Sequence, residues 1–443
     1  MGKSNSKGKI LGCGAVKKEK ETKSLSSKNL DYLEGNLIAK GLNKPSGVDP
    51  SSEFSIKLMK PSEKQSSGGS SVSSSEDMEK LQKTPSTKHS SPKISNFSRE
   101  ESNGKAGSLF KPKSSNSSSC LTFSLNSFNF IKVIGRGTFG KVILVKSKID
   151  EKLYAMKCLK KIQILKTHNL QNLKNEKKLL KAINHPFIIK LNDSFQDTEK
   201  VYMLFDFHNG GELFFHLQKK GKFSEEMVRF YACEIYLALK HLHSLRIIYR
   251  DLKPENVVLD EMGHIKLIDF GLAKDDIDSY SKCSTFCGTN EYIPPEVIKG
   301  VKYNFNFDWW GFGVLVYELL FGSPPFTDRS GNKTLLFKKI CMEEPNYRHN
   351  GVRLSEAAES LLKTLLHKDP EKRIKPDSIP EHEFFRGVCF SEVEKMKVKP
   401  PLKPKIKNKE DYSNIDPCFL REDLMSPVKK LKYDIDQSKF VDF

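Results

Sequence analysis

Asp251, Lys253, Asn256 and Asp269 supply two carboxylates, an ammonium and a carboxamide at short spacing, in Asp251-Leu252-Lys253-Pro254-Glu255-Asn256 and Asp269-Phe270-Gly271. Phosphoryl transfer asks for such a set. One carboxylate must orient a hydroxyl nucleophile, and a cation must meet charge on the transferring group. The remaining oxygens suit Mg²⁺, a hard ion that prefers oxygen ligands. Upstream stands Gly135-Arg136-Gly137-Thr138-Phe139-Gly140. Its glycines let the backbone approach phosphates closely and adopt turns that a Cβ would forbid. The same G-x-G-x-x-G spacing opens dinucleotide-binding folds, where the turn runs from a strand into a helix. Here Val142-Ile143-Leu144-Val145 continues as a strand, which favours a hairpin.

The positioning elements follow from periodicity. Phe130 to Ile134 alternates toward a buried face, and Tyr154-Ala155-Met156-Lys157 forms a further strand ending in a Lys. Leu170, Leu173, Leu179, Leu180 and Ile183 predict a helix over Asn169 to Ile183, with Glu176 on it. Strands are expected around Ile188 to Asp193 and Val201 to Phe205. The chain after Gly211 is mostly helical, with a long helix through Phe230 to His243. His241 and His243 have no metal-site companions and are read as structural. Asp328 to Thr334 reads as a polar loop.

The chain has 443 residues, 37% apolar content, nine Cys and a net charge of +19. Residues 1–122 hold 21 Lys and Arg against 12 Asp and Glu, so +9 of that charge sits there. Their Ser-rich runs cannot bury enough apolar surface to offset chain ordering, so this region is expected to be disordered. Leu30, Leu33, Leu37 and Ile38 allow a short amphipathic helix over Asn29 to Lys40, either docked on a partner or transient. The basic charge invites nucleic acid, but zinc-finger, RNA-binding and basic-zipper signatures are missing. Basic tails on a soluble protein are the favoured reading of the charge, and no nucleic-acid partner is expected. The cysteines lack paired spacing and read as reduced thiols in the cytoplasm. No run approaches a membrane span of roughly 20 residues, and no signal peptide is visible. Met1-Gly2-Lys3-Ser4-Asn5-Ser6 matches the N-myristoylation pattern at Gly2. Nearby lysines supply the second signal for reversible membrane attachment, with an unmodified tail as the plain alternative.

Tyr249-Arg250-Asp251-Leu252-Lys253-Pro254-Glu255-Asn256 resembles the catalytic loop of eukaryotic protein kinases. Tyr249 replaces the usual His, as is common in the AGC group of protein kinases A, B, C and G. The glycine loop, Lys157, Glu176, the D-F-G triplet and the segment Ser284 to Tyr292 complete an ordered set over residues 128–443. The resemblance implies an α+β, bilobal kinase fold. A small β-rich N-lobe carries helix C, and the larger C-lobe is α-helical. The implied domains are the N-terminal region 1–122, a catalytic domain 128–385 and a C-terminal extension 386–443.

It implies ATP and Mg²⁺ as cofactors. Gly135, Gly137, Phe139 and Gly140 would cover the nucleotide. Lys157, positioned by Glu176, would hold its α- and β-phosphates. Val142, Ala155 and Val258 would sandwich adenine, which the hinge Asp206-Phe207-His208 would pair through backbone. Phe205 would be the gatekeeper, and Leu180, Leu191, Tyr249 and Phe270 an inter-lobe spine. Asp251 would orient the substrate hydroxyl, Lys253 would contact the γ-phosphate, and Asn256 and Asp269 would bind Mg²⁺.

Lys253 marks the Ser/Thr type. Glu212, Glu255 and Glu318 match positions that bind substrate arginines, although exposed carboxylates are ordinarily plain surface. An upstream kinase would phosphorylate Thr285, held by Arg250 and Lys274. Pro294-Pro295-Glu296 departs from A-P-E, with Arg373 as the partner of Glu296. The tail carries a turn-type site at Ser426 and ends in Phe440-Val441-Asp442-Phe443, expected to dock beside the helix of Glu176. A regulatory subunit is a further implied partner. A weak kinase-like scaffold on membranes is the alternative, opposed by the completeness of the catalytic set.

Overall fold

The computed structural model describes residues 123–277, 283–348, 351–424 and 435–443. Gly2, the Asn29 to Lys40 helix and Ser426 lie outside the described residues. Five antiparallel strands come first: β1 (Phe128–Gly137), β2 (Gly140–Ser147), β3 (Leu153–Lys160), β4 (Leu191–Gln196) and β5 (Lys200–Asp206), in the order β1-β2-β3-β5-β4. Between β3 and β4 lie α1 (Lys161–Lys166) and α2 (Leu170–Ala182). The second lobe holds α3 (Leu213–Lys220), the long α4 (Glu225–Ser244) and a small sheet of β6 (Gly211–Glu212), β7 (Val257–Leu259) and β8 (Ile265–Leu267). It continues with α5 (Pro295–Ile298), α6 (Asn306–Phe321), α7 (Lys333–Met342) and α8 (Glu356–Leu365). The tail adds α9 (Phe390–Glu394) and α10 (Pro417–Leu420).

Two expectations shift. Phe130 is exposed, because β1 bulges between Phe130 and Lys132 and again between Val133 and Gly135. A bulge inserts an extra residue and breaks the period of two. The apolar run at Ile188 does not begin β4, which starts at Leu191. Ile188 instead bridges Leu267, and the Ile189 N–H donates to the Leu267 carbonyl at 3.0 Å. These isoleucines are buried against the helical lobe, which accounts for their hydrophobicity.

The lobes have separate packing logic. A satellite cluster of Phe128, Val133, Tyr154, Met156, Tyr202 and Leu204 backs the sheet, away from the main core. In the larger lobe α6 buries nearly every side chain, so apolar residues occur on all its faces, with Asp308 and Glu318 as buried exceptions. Ser224 caps α4, its side chain accepting from the Met227 N–H. Ser355 caps α8 in the same way, through the Ala358 N–H.

Candidate active site

Gly137 and Gly140 are the last pair of the β1–β2 hairpin. Gly140 is required by packing, since a Cβ there would lie 1.7 Å from the Cys158 carbonyl. Gly137 is not, since a Cβ would meet nothing within 4 Å. Phe139 folds back and packs against the core, while Gly135 sits opposite Val142. Val142 and Ala155 are half-buried, and Ala155 pairs with Phe205 on β5. Val258 is half-buried on β7. β5 ends at Asp206, and its carboxylate accepts from Asn192 at 2.8 Å. Burial pushes the His208 imidazole down to about 4, so it is neutral at pH 7.

Lys157 reaches from β3 to Glu176 Oε1 at 2.7 Å and Asp269 Oδ1 at 3.1 Å. Burial opposes its charge, but Asp269 and Glu176 outweigh it and raise the ammonium above its ordinary value. Lys157 in turn holds the Asp269 carboxyl below the usual range, against the desolvation it meets beside the lysine, although its side chain keeps 51% of its surface open to solvent. Burial pushes Glu176 upward despite Lys157. The three groups form one network between β3, α2 and the loop after β8.

Asp251 is oriented at both carboxylate oxygens. Lys253 Nζ and Asn256 Nδ2 donate to Oδ2 at 2.9 and 2.8 Å, and Thr289 Oγ1 donates to Oδ1 at 3.1 Å. Lys253 also donates to Thr289 Oγ1 at 3.1 Å. Thr289 is a site residue the sequence reading gave no role. Asp308 is another. Almost wholly buried at the start of α6, it accepts the Tyr249 and Arg250 N–H groups at 2.9 and 2.8 Å, with His243 Nε2 2.8 Å away. Arg250 and Asp269 both hold positive φ, +67° and +58°, which costs a non-glycine residue energy. Asp308 offsets that strain at Arg250. Tyr249 meets Phe270 edge-on at 5.2 Å, and Leu180 and Leu191 are buried with them in the main core.

Glu212 and Glu255 are half-buried, and Glu318 is buried outright, with the Tyr292 hydroxyl donating to it. The three are not all exposed carboxylates, because Glu318 lies on α6, whose side chains are buried on every face. Burial, then Glu255 and Asp416, raises Glu212 to about 7. Burial raises Glu318 to about 7 against the Tyr292 hydrogen bond, with Glu255 and Glu291 adding to it. Glu255 is thus electrostatically coupled to both.

Thr285 is exposed, and its carbonyl accepts from the Tyr303 hydroxyl at 2.7 Å. Arg250 reaches the same hydroxyl at 3.2 Å and the Leu272 carbonyl at 2.8 Å. Tyr303 is the link the sequence reading missed. Lys274 is exposed and bridges Ile248 through backbone. Arg373 grips Glu296 with two parallel bonds of 2.9 and 3.0 Å, a bidentate geometry. Its guanidinium also stacks 5.2 Å from the Trp310 ring.

The tail touches both lobes. Asn414 donates to the Asn209 carbonyl at 3.1 Å, and Glu422 lies 3.3 Å from Arg136 and 2.9 Å from Lys141 at the glycine hairpin. Phe440 is fully buried, and its carbonyl accepts from Gln196 at 2.7 Å. Lys161 and Lys177 sit over the Phe440 and Phe443 rings at 4.9 and 4.7 Å.

Residues 128–385 match the Protein kinase domain family model. The chain is 45% identical over 297 residues to a RAC family serine/threonine-protein kinase homolog of Dictyostelium discoideum, covering 67% of this chain and 66% of that one. It is 41% identical over 356 residues to protein kinase C delta type of Mus musculus, covering 80% of this chain and 51% of that one. It is 44% identical over 306 residues to serine/threonine-protein kinase Sgk1 of Danio rerio, covering 68% and 70%. The two-lobed fold around an oriented Asp251 and the Lys157 network is thus that of a phosphotransferase domain, and the chain belongs to the protein kinase family, in its AGC group of serine/threonine kinases. The chain spans between 51% and 70% of the length of these three relatives. A domain of this family works with ATP and a divalent metal. Among the described residues, no helix is long and apolar enough to cross a membrane.

Proposed function

We propose that the protein transfers the γ-phosphate of ATP to Ser or Thr of protein substrates carrying arginine upstream of the acceptor. The catalytic domain spans 128–385, and 386–443 is its extension. The carrying observation is Asp251, held at both oxygens by Lys253, Asn256 and Thr289 beside the Lys157–Glu176–Asp269 network. That arrangement fits a base that accepts a hydroxyl proton and a cation that meets phosphoryl charge. Gly137, bare without a packing reason, supports close approach of phosphates over the hairpin. Asn256 commits its amide nitrogen to Asp251, which leaves its oxygen for a metal alongside the exposed Asp269 carboxylate. Two oxygen donors plus phosphates suit Mg²⁺, which when bound neutralises charge on the phosphates.

The substrate side carries its own signature. Glu212 and Glu318, both near 7, lose charge as pH falls. A raised carboxyl is neutral below its pKa and ionised above it, so arginine binding strengthens as pH rises through 7. Taking the enzyme from pH 8 to pH 6 is expected to raise KM for an arginine-containing peptide about tenfold for each of the two carboxylates that the peptide engages. An acceptor peptide without arginine shows the smaller change. A peptide-library phosphorylation assay run at both pH values checks this, and flat, arginine-independent KM values reject the basophilic reading.

Phosphorylation of Thr285 by an upstream kinase is the proposed activation step. The residue is exposed, and its backbone is already tied through Tyr303 to Arg250. One charge-assisted hydrogen bond contributes roughly 1.5–3 kcal/mol, about a 10- to 100-fold shift toward an ordered segment. Thr285→Ala is expected to leave turnover lower by that order than the phosphorylated enzyme. Equal turnover of phosphorylated wild type and variant toward peptide removes the switch. Myristoylation at Gly2 with reversible membrane attachment stays a proposal from sequence, which intact-mass measurement of protein from a eukaryotic cell decides.

A further inference from the structure

Lys174, Lys177, Lys178 and Lys181 recur on one side of α2 at three- and four-residue spacing. Together with Asp442 they line an open cavity of about 270 Å³. Asp442 lies 2.6 Å from Lys174, and Asp275 lies 2.6 Å from Lys178. Lys177 is buried and donates to the Asp442 carbonyl. Among the described residues Lys181 is exposed and has no carboxylate within ion-pair distance. Like charges one turn apart on a helix oppose each other, so this face gains from an added anion. Burial, then Lys181, pushes the Lys177 ammonium below its ordinary value.

Every residue lining it carries a charge, and Phe440 and Phe443 already occupy the adjacent apolar ground. A compact polyanion meets four ammonium groups here, whereas a peptide side chain has only their methylene stems to pack against. We propose that this face of α2 binds a multiply charged, phosphate-bearing small ligand, either a free inositol phosphate or the corresponding lipid headgroup. Lys174, Lys178 and Lys181 clasp it over Lys177. Asp442 contests the same ground, since its carboxylate already occupies Lys174.

The test uses the full chain, with inositol hexakisphosphate in calorimetric titration as one probe. Sedimentation with phosphatidylcholine vesicles, with and without phosphatidylinositol bisphosphate, is the other. Lys178→Gln with Lys181→Gln changes exposed residues outside the catalytic machinery, and circular dichroism checks its fold. The double variant is expected to bind at least about tenfold more weakly. Loss confined to the titration assigns a free ligand, and loss of the bisphosphate-dependent vesicle binding assigns the headgroup. Asp442→Asn is expected to tighten binding several-fold, and weaker binding there overturns the competition. Equal binding of both probes by wild type and double variant overturns the site. So does failure of wild type to bind either probe, or a preference for a phosphopeptide over both.

Discussion

Asp251→Asn is expected to lower turnover by about 10²–10⁴-fold, the usual scale of a general-base contribution. The structure makes the substitution sharper than loss of one charge. Both carboxylate oxygens accept hydrogen bonds, from Lys253, Asn256 and Thr289. An Asn must turn its amide nitrogen toward at least one of these donors, so it loses the proton acceptor and also disturbs its orientation. Nucleotide affinity should persist, because Lys157, Glu176 and Asp269 form their own network. Single-turnover phosphorylation with a fluorescent-nucleotide titration separates the two quantities. Turnover within a fewfold of wild type would sink the assignment, and loss of nucleotide binding would make Asp251 structural.

The parts legible in sequence were those written at short spacing. Asp251, Lys253 and Asn256 belong to one loop, and the glycine hairpin is punctuated by residues whose backbone freedom is plain in the sequence. Lys157 and Glu176 were paired only through resemblance, since each alone is an ordinary charged residue on a strand or helix. Asp308 stands in a motif that fits the family, but its role and that of Thr289 were not legible because their partners are distant, Asp308 supporting Tyr249 from 59 residues away and Thr289 reaching Asp251 across 38. Glu318 did leave a signal, a lone carboxylate inside the apolar run Val314 to Phe321, which foretells burial and a raised pKa. Strand edges failed where a second demand overrode alternation: bulges in β1, and isoleucines before β4 that serve the other lobe.

The tail carries the second large effect. Phe440 has no exposed surface, and replacing a buried Phe with Ala costs about 3–5 kcal/mol. Its surroundings are specific. Lys161, also fully buried, bonds Gln196 and Gln437 and lies over the Phe440 ring. Lys177 holds the Asp442 carbonyl and covers Phe443, and its sequence neighbour Glu176 holds Lys157. Helix α2 thus stands between the tail and the ion network, and docking is expected to bias it toward the paired arrangement. Phe440→Ala with Phe443→Ala should release this segment, although neither ring touches the catalytic loop. The loss of global stability is capped by the docking free energy of the tail itself, because the segment can open locally. Turnover should fall with the fraction of Lys157–Glu176 pairs retained, and hydrogen exchange along α2 should accelerate. An added peptide spanning Gln437 to Phe443 should restore part of both. If the double variant matches wild type in turnover, melting and α2 exchange, the tail is a passenger on the small lobe and the coupling does not exist.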